Sequence, residues 1–349
     1  YATGAMGKWG LGYEGSTGDP NKQGFDLFFG YLCQAHAHSH YPMFLWRNDK
    51  KVLYKGNERQ LQGARHSQDE FIAEAIQFIR ANKEQPFFLY LPFAIPHLSI
   101  QTSLKELDVY KGRIPEEEYV HKGYLQHPFP RAGYAAMVTQ MDRGIGQIME
   151  LIEQLGLDED TIIVFTSDNG PTYDRLGGSD SVFFESAGPL KAYKGSIYEG
   201  GIRVPTVVRW PGKIKPRQVT DLISYHPDWL PTLMDLIGAA DTVPKDVDGI
   251  TLAPSLLGNA KQKEREYIFF DFNGYGGQQA VRAGDWKAVR RNIHRGNTKL
   301  ELYNLKEDIG EKNDVAAEHP DIVKRMEAIM KKEHMPSKLF PMKVLDGEG

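Results

Sequence analysis

Four places along the chain set reactive side chains where a strand or loop could present them. Asp168-Asn169 closes the run Thr161-Ile-Ile-Val-Phe-Thr-Ser167. In an open α/β sheet ligands gather beyond the carboxyl ends of the strands. A carboxylate and an amide oxygen there are hard donors suited to Ca²⁺ or Mg²⁺. The competing reading is an Asx turn, common where Asp-Asn-Gly follows a strand. Next, Lys194 to Pro205 reads KGSIYEGGIRVP, three glycines among charged residues. That suits a loop where backbone and cations approach an anion closely, and equally a surface loop with a structural Arg203–Glu199 pair. Lys8 lies between Gly7 and Trp9, where a plain exposed lysine is the default. His97, in Ile95-Pro-His-Leu-Ser99, is a candidate proton donor or simply a packed histidine.

His36, His38 and His40 form a fifth group at spacing i, i+2, i+4. A polar loop, the lining of a substrate pocket and a metal site are all open for them.

The elements that must position these residues follow from periodicity. Behind Ser67 as N-cap, with Asp69 and Glu70 in the first turn, Phe71, Ile72, Ala75, Ile76 and Ile79 recur at helical spacing up to Asn82-Lys83. PFFLYLPF (86–93) reads as a buried strand carrying the chain towards His97. Met137, Met141, Ile145, Ile148, Ile152 and Leu155 mark a long amphipathic helix stopped by Gly156. The continuous apolar run before Asp168 implies a strand covered on both faces. VPTVVRW (204–210) is a further strand, and Trp229 to Ile237 a helix. Residues 1–12 form a short apolar segment, and 13–66 read as irregular, a length of loop unusual unless it lines a site. Beyond about residue 260, REYIFFDF, GQQAVRAGDWKAVRR and KLELYNL suggest a small antiparallel sheet, with a turn at Ala283-Gly284-Asp285 and a terminal helix over HPDIVKRMEAIMKK. The order argues for a layered α/β sheet with helices on both faces.

The 349 residues allow one large domain and a smaller one. A net charge of −4 offers no electrostatic argument for nucleic acid or an anionic membrane. No stretch reaches the ~20 apolar residues of a membrane span. The single cysteine, Cys33, excludes an internal disulfide.

Taken in order, GKWGLG, PFFLYLPFAIPH, MDRGIGQI leading into TIIVFTSDNGP, and KGSIYEGGIRVP resemble the type I (arylsulfatase-like) sulfatases of the alkaline-phosphatase-like superfamily. DGITLAPSLLG, QAVRAGDWKAVR and ELYNLKEDIGEKND resemble that family's C-terminal region. The resemblance implies a catalytic domain over 1–258 and a C-terminal subdomain over 259–349. It implies sulfate-ester hydrolysis on a formylglycine nucleophile, with Ca²⁺ or Mg²⁺ held in part by Asp168 and Asn169. By the same resemblance Lys8 and Lys194 contact sulfate oxygens and His97 protonates the leaving alcohol. His36, His38, His40, Arg203 and Gln279 become candidate substrate contacts, with Arg203 better explained as a partner of Glu199. The substrate implied is a sulfated glycan of galactose or N-acetylgalactosamine type, and the location periplasmic or secreted.

Two departures qualify this. The family's GKWHLG carries Gly10 in place of histidine, and one of the three loop histidines is a candidate to fill that space. No C/S-x-P-S/A-R motif, the source of formylglycine, occurs in the chain. The expectation is therefore a chain without the family's first strand and nucleophile, inactive by itself. A phosphonate or phosphodiester hydrolase of the same superfamily, and a non-catalytic sulfatase fragment or pseudoenzyme, are the rival readings.

Overall fold

The structure, a computed structural model, describes residues 1–120, 123–173 and 175–347. It divides into two compact units, the first comprising Tyr1–Thr161 and Thr172–Phe184, the second Ile162–Pro171 and Glu185–Gly349.

The first unit holds strands β1 (Ala2–Lys8), β2 (Leu27–Tyr31), β3 (Phe44–Arg47), β4 (Lys50–Leu53), helix α1 (Ser67–Asn82), strand β5 (Phe87–Tyr90) and helices α2 (Leu104–Tyr110) and α3 (Pro130–Gln154). Its sheet runs β4-β3-β2-β1-β5, with β1 parallel to both neighbours and β3 and β4 joined as a hairpin. Three of these strands lie inside the stretch read as irregular. They are short, and β2 needs Gly30, since a Cβ there would stand 1.8 Å from the Gly7 carbonyl oxygen of β1. Helix α1 begins one residue earlier in its capping than expected: His66, not Ser67, is the N-cap, and its Nδ1 accepts from the Gln68 amide. Phe71 and Phe78 of α1 pack with Met6, Phe29 and Tyr31 of the sheet. This is the amphipathic stripe doing what its spacing predicts. Helix α3 starts at Pro130, where the missing N–H costs nothing. The Glu116 carboxylate accepts from the Arg131 and Ala132 amides at its start.

The second unit holds β6 (Ile163–Phe165), α4 (Glu199–Ile202), β7 (Val207–Arg209), α5 (Trp229–Leu236), α6 (Ala253–Leu257), β8 (Ile268–Phe272), β9 (Gln278–Ala283), β10 (Trp286–Arg291), β11 (Glu301–Asn304) and α7 (Pro320–Glu333). Strand β6 pairs antiparallel with β7, and Phe165 is partly exposed. The expectation of a strand covered on both faces is therefore not met, because among the described residues β6 has this one neighbour in a two-stranded sheet. The C-terminal strands form the expected antiparallel sheet in the order β11-β10-β9-β8. Alternation along each strand sends side chains to opposite faces. Val281, Ala283, Ala288 and Leu302 face Met326, Ile329 and Met330 of α7. Ala280, Val289 and Tyr303 face the other way, against Ile197 and Tyr198. The sheet and helix expected for 259–349 thus fall in a unit that also takes in the segments around Asp168 and Lys194.

Candidate active-site residues

In the first unit the expected residues gather at the carboxyl ends of parallel strands. Lys8 is the last residue of β1, in register with Tyr31 of β2. Its amide donates to the Pro92 carbonyl at 2.7 Å, just beyond β5. Gly7 must lack a side chain here, because its φ is +140° and a Cβ would meet that same Pro92 oxygen at 2.2 Å.

The loops leaving β2 and β5 then meet. His38 stacks on His97 with ring centroids 4.9 Å apart and planes inclined by 11°. The His97 Nδ1 lies 2.8 Å from the Leu98 carbonyl, which can only accept, so Nδ1 carries a hydrogen. His40 is fully buried, its Nε2 donating to the His97 carbonyl at 2.8 Å and its Nδ1 without a hydrogen-bond partner among the described residues. Burial, reinforced by His66, His38 and Lys8, pushes the His40 pKa down to about 3. Burial likewise pushes His66 down to about 4. His36 packs between the Tyr31 and Phe44 rings instead. His38 and His40 thus both meet His97, through its ring and its carbonyl, while His36 packs elsewhere, and among the described residues no group of three or more His, Cys, Asp or Glu could hold a metal. Gly10, where the family pattern has histidine, has φ +74°, and the space beside it is taken by the Gln34 amide.

In the second unit two backbone bonds draw the other expected residues together. The Lys194 amide donates to Pro171 at 2.8 Å, and the Gly170 amide to Gly201 at 3.0 Å. The Lys194 loop therefore lies along the turn that follows β6. This contact requires glycine, since a Cβ on Gly170 would stand 1.9 Å from the Gly200 oxygen. Lys194 is half-buried, Asp168 is exposed, and neither side chain forms a hydrogen bond or ion pair among the described residues. Asn169 donates its amide nitrogen to the Gly170 carbonyl, leaving Oδ1 as an acceptor. An uncommitted carboxylate and amide oxygen fit a hard cation in type, but they are two donors of the six to eight such an ion takes. Further donors have to come from other groups.

Arg203 lies 3.5 Å from Glu199, the pairing anticipated for it. Gln279 needs a correction. It is wholly buried, its amide engaged with His334 and Arg290, so it offers no surface to a substrate. Gln278 is buried too, donating to the Gly195 carbonyl. Sequence reasoning missed Lys191, Lys287 and Glu311, which hold the Lys194 loop from behind: Lys191 reaches Tyr303 and the Glu311 carbonyl, and Lys287 reaches Glu199 and Glu311. A cleft of about 620 Å³ lined by Asp26, Arg47 and Glu74 includes none of the expected residues.

Residues 1–239 match the family described as Sulfatase, and residues 192–335 match the region described as N-sulphoglucosamine sulphohydrolase, C-terminal. The chain belongs to the sulfatase family. It is 32% identical over 260 residues to a sulfatase of Formosa agariphila, covering 69% of this chain and 44% of that protein. It is also 32% identical over 285 residues to an N-acetylgalactosamine-6-O-sulfatase of Bacteroides thetaiotaomicron, covering 75% and 51%. The crystal structure of Ps i-CgsB in complex with k-i-k-neocarrahexaose superposes with TM-score 0.77 at 29% identity, over 95% of this chain and 71% of that one. The chain thus spans about half the length, or less, of these curated sulfatases. As a member of that family it carries the layered α/β architecture and C-terminal antiparallel sheet. No helix among its described residues is long and apolar enough to cross a membrane.

Proposed function

We propose that the protein is a sulfuric ester hydrolase that removes sulfate from a sulfated carbohydrate of galactose or N-acetylgalactosamine type. The observation that supports it best is local to the second unit. An ammonium without an ionic partner among the described residues, on Lys194, is tied through its backbone to the strand end presenting Asp168 and Asn169. Hydrolysis of a sulfate ester shifts negative charge onto the leaving oxygen, and a cation already in place stabilises that shift without reorganising. Lys194 takes this part, and by the family resemblance Lys8 also contacts a sulfate oxygen. Asp168 and Asn169 Oδ1 contribute to holding Ca²⁺ or Mg²⁺, which when bound supplies Lewis-acid stabilisation and orientation. His97 delivers a proton to the leaving alcohol, its ring held by His38 and the Leu98 carbonyl. The N-acetylgalactosamine-6-O-sulfatase among the relatives supports the sugar class, and a polymeric glycan substrate goes with a periplasmic or secreted location.

The formylglycine that the family resemblance implies has no source motif in this chain, and no step is assigned to it. The rival reading is a non-catalytic member that binds sulfated glycan. The test is an assay of the full-length protein on sulfated galactose and N-acetylgalactosamine oligosaccharides beside phosphonate and phosphodiester esters, with and without chelator. Mass spectrometry for formylglycine runs in parallel. Release of inorganic sulfate that stops on chelation supports the proposal. Hydrolysis of the phosphorus esters alone overturns it, and glycan binding without turnover or formylglycine establishes the second reading.

A further inference from the structure

Behind the Lys194 loop lies a buried charge cluster that the reaction does not use directly. Lys287 of β10 is 1% exposed, and its ammonium lies 2.8 Å from Glu199 Oε1 and 3.0 Å from Glu311 Oε1. Glu199 and Glu311 are 2% and 0% exposed. An ion cluster this deep is expensive to desolvate, and an apolar replacement of similar volume is often at least as stable. Stability alone therefore does not account for it, and what it fixes is the better question.

The bonds answer that question. The Glu199 amide donates to Glu311 Oε2 at 2.7 Å, so Glu311 grips both the backbone of α4 and, through Lys287, its first side chain. The Glu311 carbonyl accepts from Lys191 at 2.7 Å, at the other end of the same loop. Between these anchors, Gly200 donates to the Lys191 carbonyl and Gly201 passes the connection on to Gly170, next to Asn169. Arg282 and Arg203 flank Glu199 at 3.6 and 3.5 Å from the rim. Burial works against the Glu199 carboxylate, but Lys287 and the two arginines outweigh it and hold its pKa below the usual range. Burial keeps that of Glu311 above it, with Lys287 offsetting only part. One buried cation is thus shared by two carboxylates, and both lie on the path that sets where Lys194 stands relative to Asp168 and Asn169.

We infer that Lys287 is a positioning residue: by clamping Glu199 and Glu311 it locks the Lys191–Arg203 loop, and with it Lys194, against the turn that carries Asp168 and Asn169. The functional half of this inference rests on the sulfatase reading of those residues, while the clamp itself does not.

The test compares wild type, Lys287→Met, Lys287→Arg and Lys287→Met/Glu311→Gln in the full-length protein. Amide hydrogen exchange is followed at Gly170, Lys194, Gly200 and Gly201, and at Ala280 and Ala288 in the sheet core, together with kcat and KM for a sulfate ester. In Lys287→Met the four loop amides are expected to exchange at least about tenfold faster while the sheet amides hold. On the order of a hundredfold of kcat is expected to be lost, with KM changed much less, since misplacement of a catalytic group by about 1 Å has that scale of effect. Lys287→Arg recovers part of both. If Lys287→Met folds too poorly to measure, the charge-balanced double variant carries the same comparison. Unchanged loop exchange, or loop and sheet amides loosening together, overturns the clamp whether or not the protein is active. Absence of sulfate release by wild type would defeat the sulfatase reading and leave the exchange result standing.

Discussion

The imidazoles of His38 and His97 stack with centroids 4.9 Å apart, joining a loop that follows one parallel strand to a loop that follows another. Nothing in the local sequence pairs these two residues. The strand order does: β2 and β5 flank β1 on either side, so what leaves their carboxyl ends can meet beside Lys8. The His97 ring is also held through Nδ1, which donates to the Leu98 carbonyl.

A general acid matters most when the leaving group is poor. His97→Ala is therefore expected to lower kcat/KM about 10²- to 10⁴-fold on sulfated sugars, whose alcohols leave badly. On an aryl sulfate with an acidic phenol the loss should shrink towards a few-fold. Rates on a series of esters of graded leaving-group pKa measure this. Equal losses across the series would mean that His97 is not the acid.

His40 and His66 give the first unit an acid-sensitive core. Both are neutral when folded, with pKa values of about 3 and about 4, below the ordinary value of 6.5. As the pH falls below that ordinary value the unfolded chain takes up protons that the folded chain does not. Stability is thus intact above about pH 7 and lost progressively as the pH drops towards the folded values. The two together should cost about 2 kcal/mol between pH 6 and pH 5. Urea unfolding across that range tests it, and His40→Gln should remove about half of the slope. A flat profile would show that these rings are not held neutral.

How much of this was legible in the sequence depends on distance along the chain. The β9–β10 hairpin with its turn at Gly284 could be read locally and stands where it was expected, and Asp168-Asn169 and Lys194 could be singled out locally as candidates. Strands β2 to β4 could not, because they are four or five residues long and β2 takes its shape from contact with Gly7. Lys287 looked like one more strand lysine. Its two carboxylates are fixed by folding, one of them 88 residues away, and periodicity alone does not say that its face meets the Glu199 loop. Gln279 shows the same limit in reverse, a polar residue that suggested a sugar contact and instead lies wholly within the sheet.

Gly10 explains one departure from the family pattern. Its φ of +74° is a left-handed conformation that glycine adopts freely, and a Cβ would meet the Gln34 amide nitrogen at 2.1 Å. Gly10→Ala is therefore expected to destabilise the fold by about 1–2 kcal/mol. Adding Gln34→Ala should relieve only the contact, since Gln34 is exposed and flexible at its tip while the backbone strain stays. Denaturant midpoints of the two variants check this, and full recovery in the double variant would place the whole cost on the clash.

Lys194 gives the sharpest separation of function from folding. Its ammonium makes no hydrogen bond or ion pair among the described residues, whereas its backbone amide makes the 2.8 Å bond to Pro171. Lys194→Ala keeps that backbone bond and removes the half-buried side chain beyond Cβ together with its charge. Unfolding free energy should then move by no more than about 0.5 kcal/mol, as for surface changes that break no special contact. Turnover of a sulfate ester should fall about 10²- to 10³-fold, the scale for deleting one group that stabilises developing charge. Lys194→Arg keeps the charge on a longer, planar head and should recover only part of the rate. Equilibrium unfolding set beside kcat for the three proteins decides the matter. A Lys194→Ala protein that turns over like wild type would remove the lysine from the reaction, and one that loses several kcal/mol of stability would make its role structural.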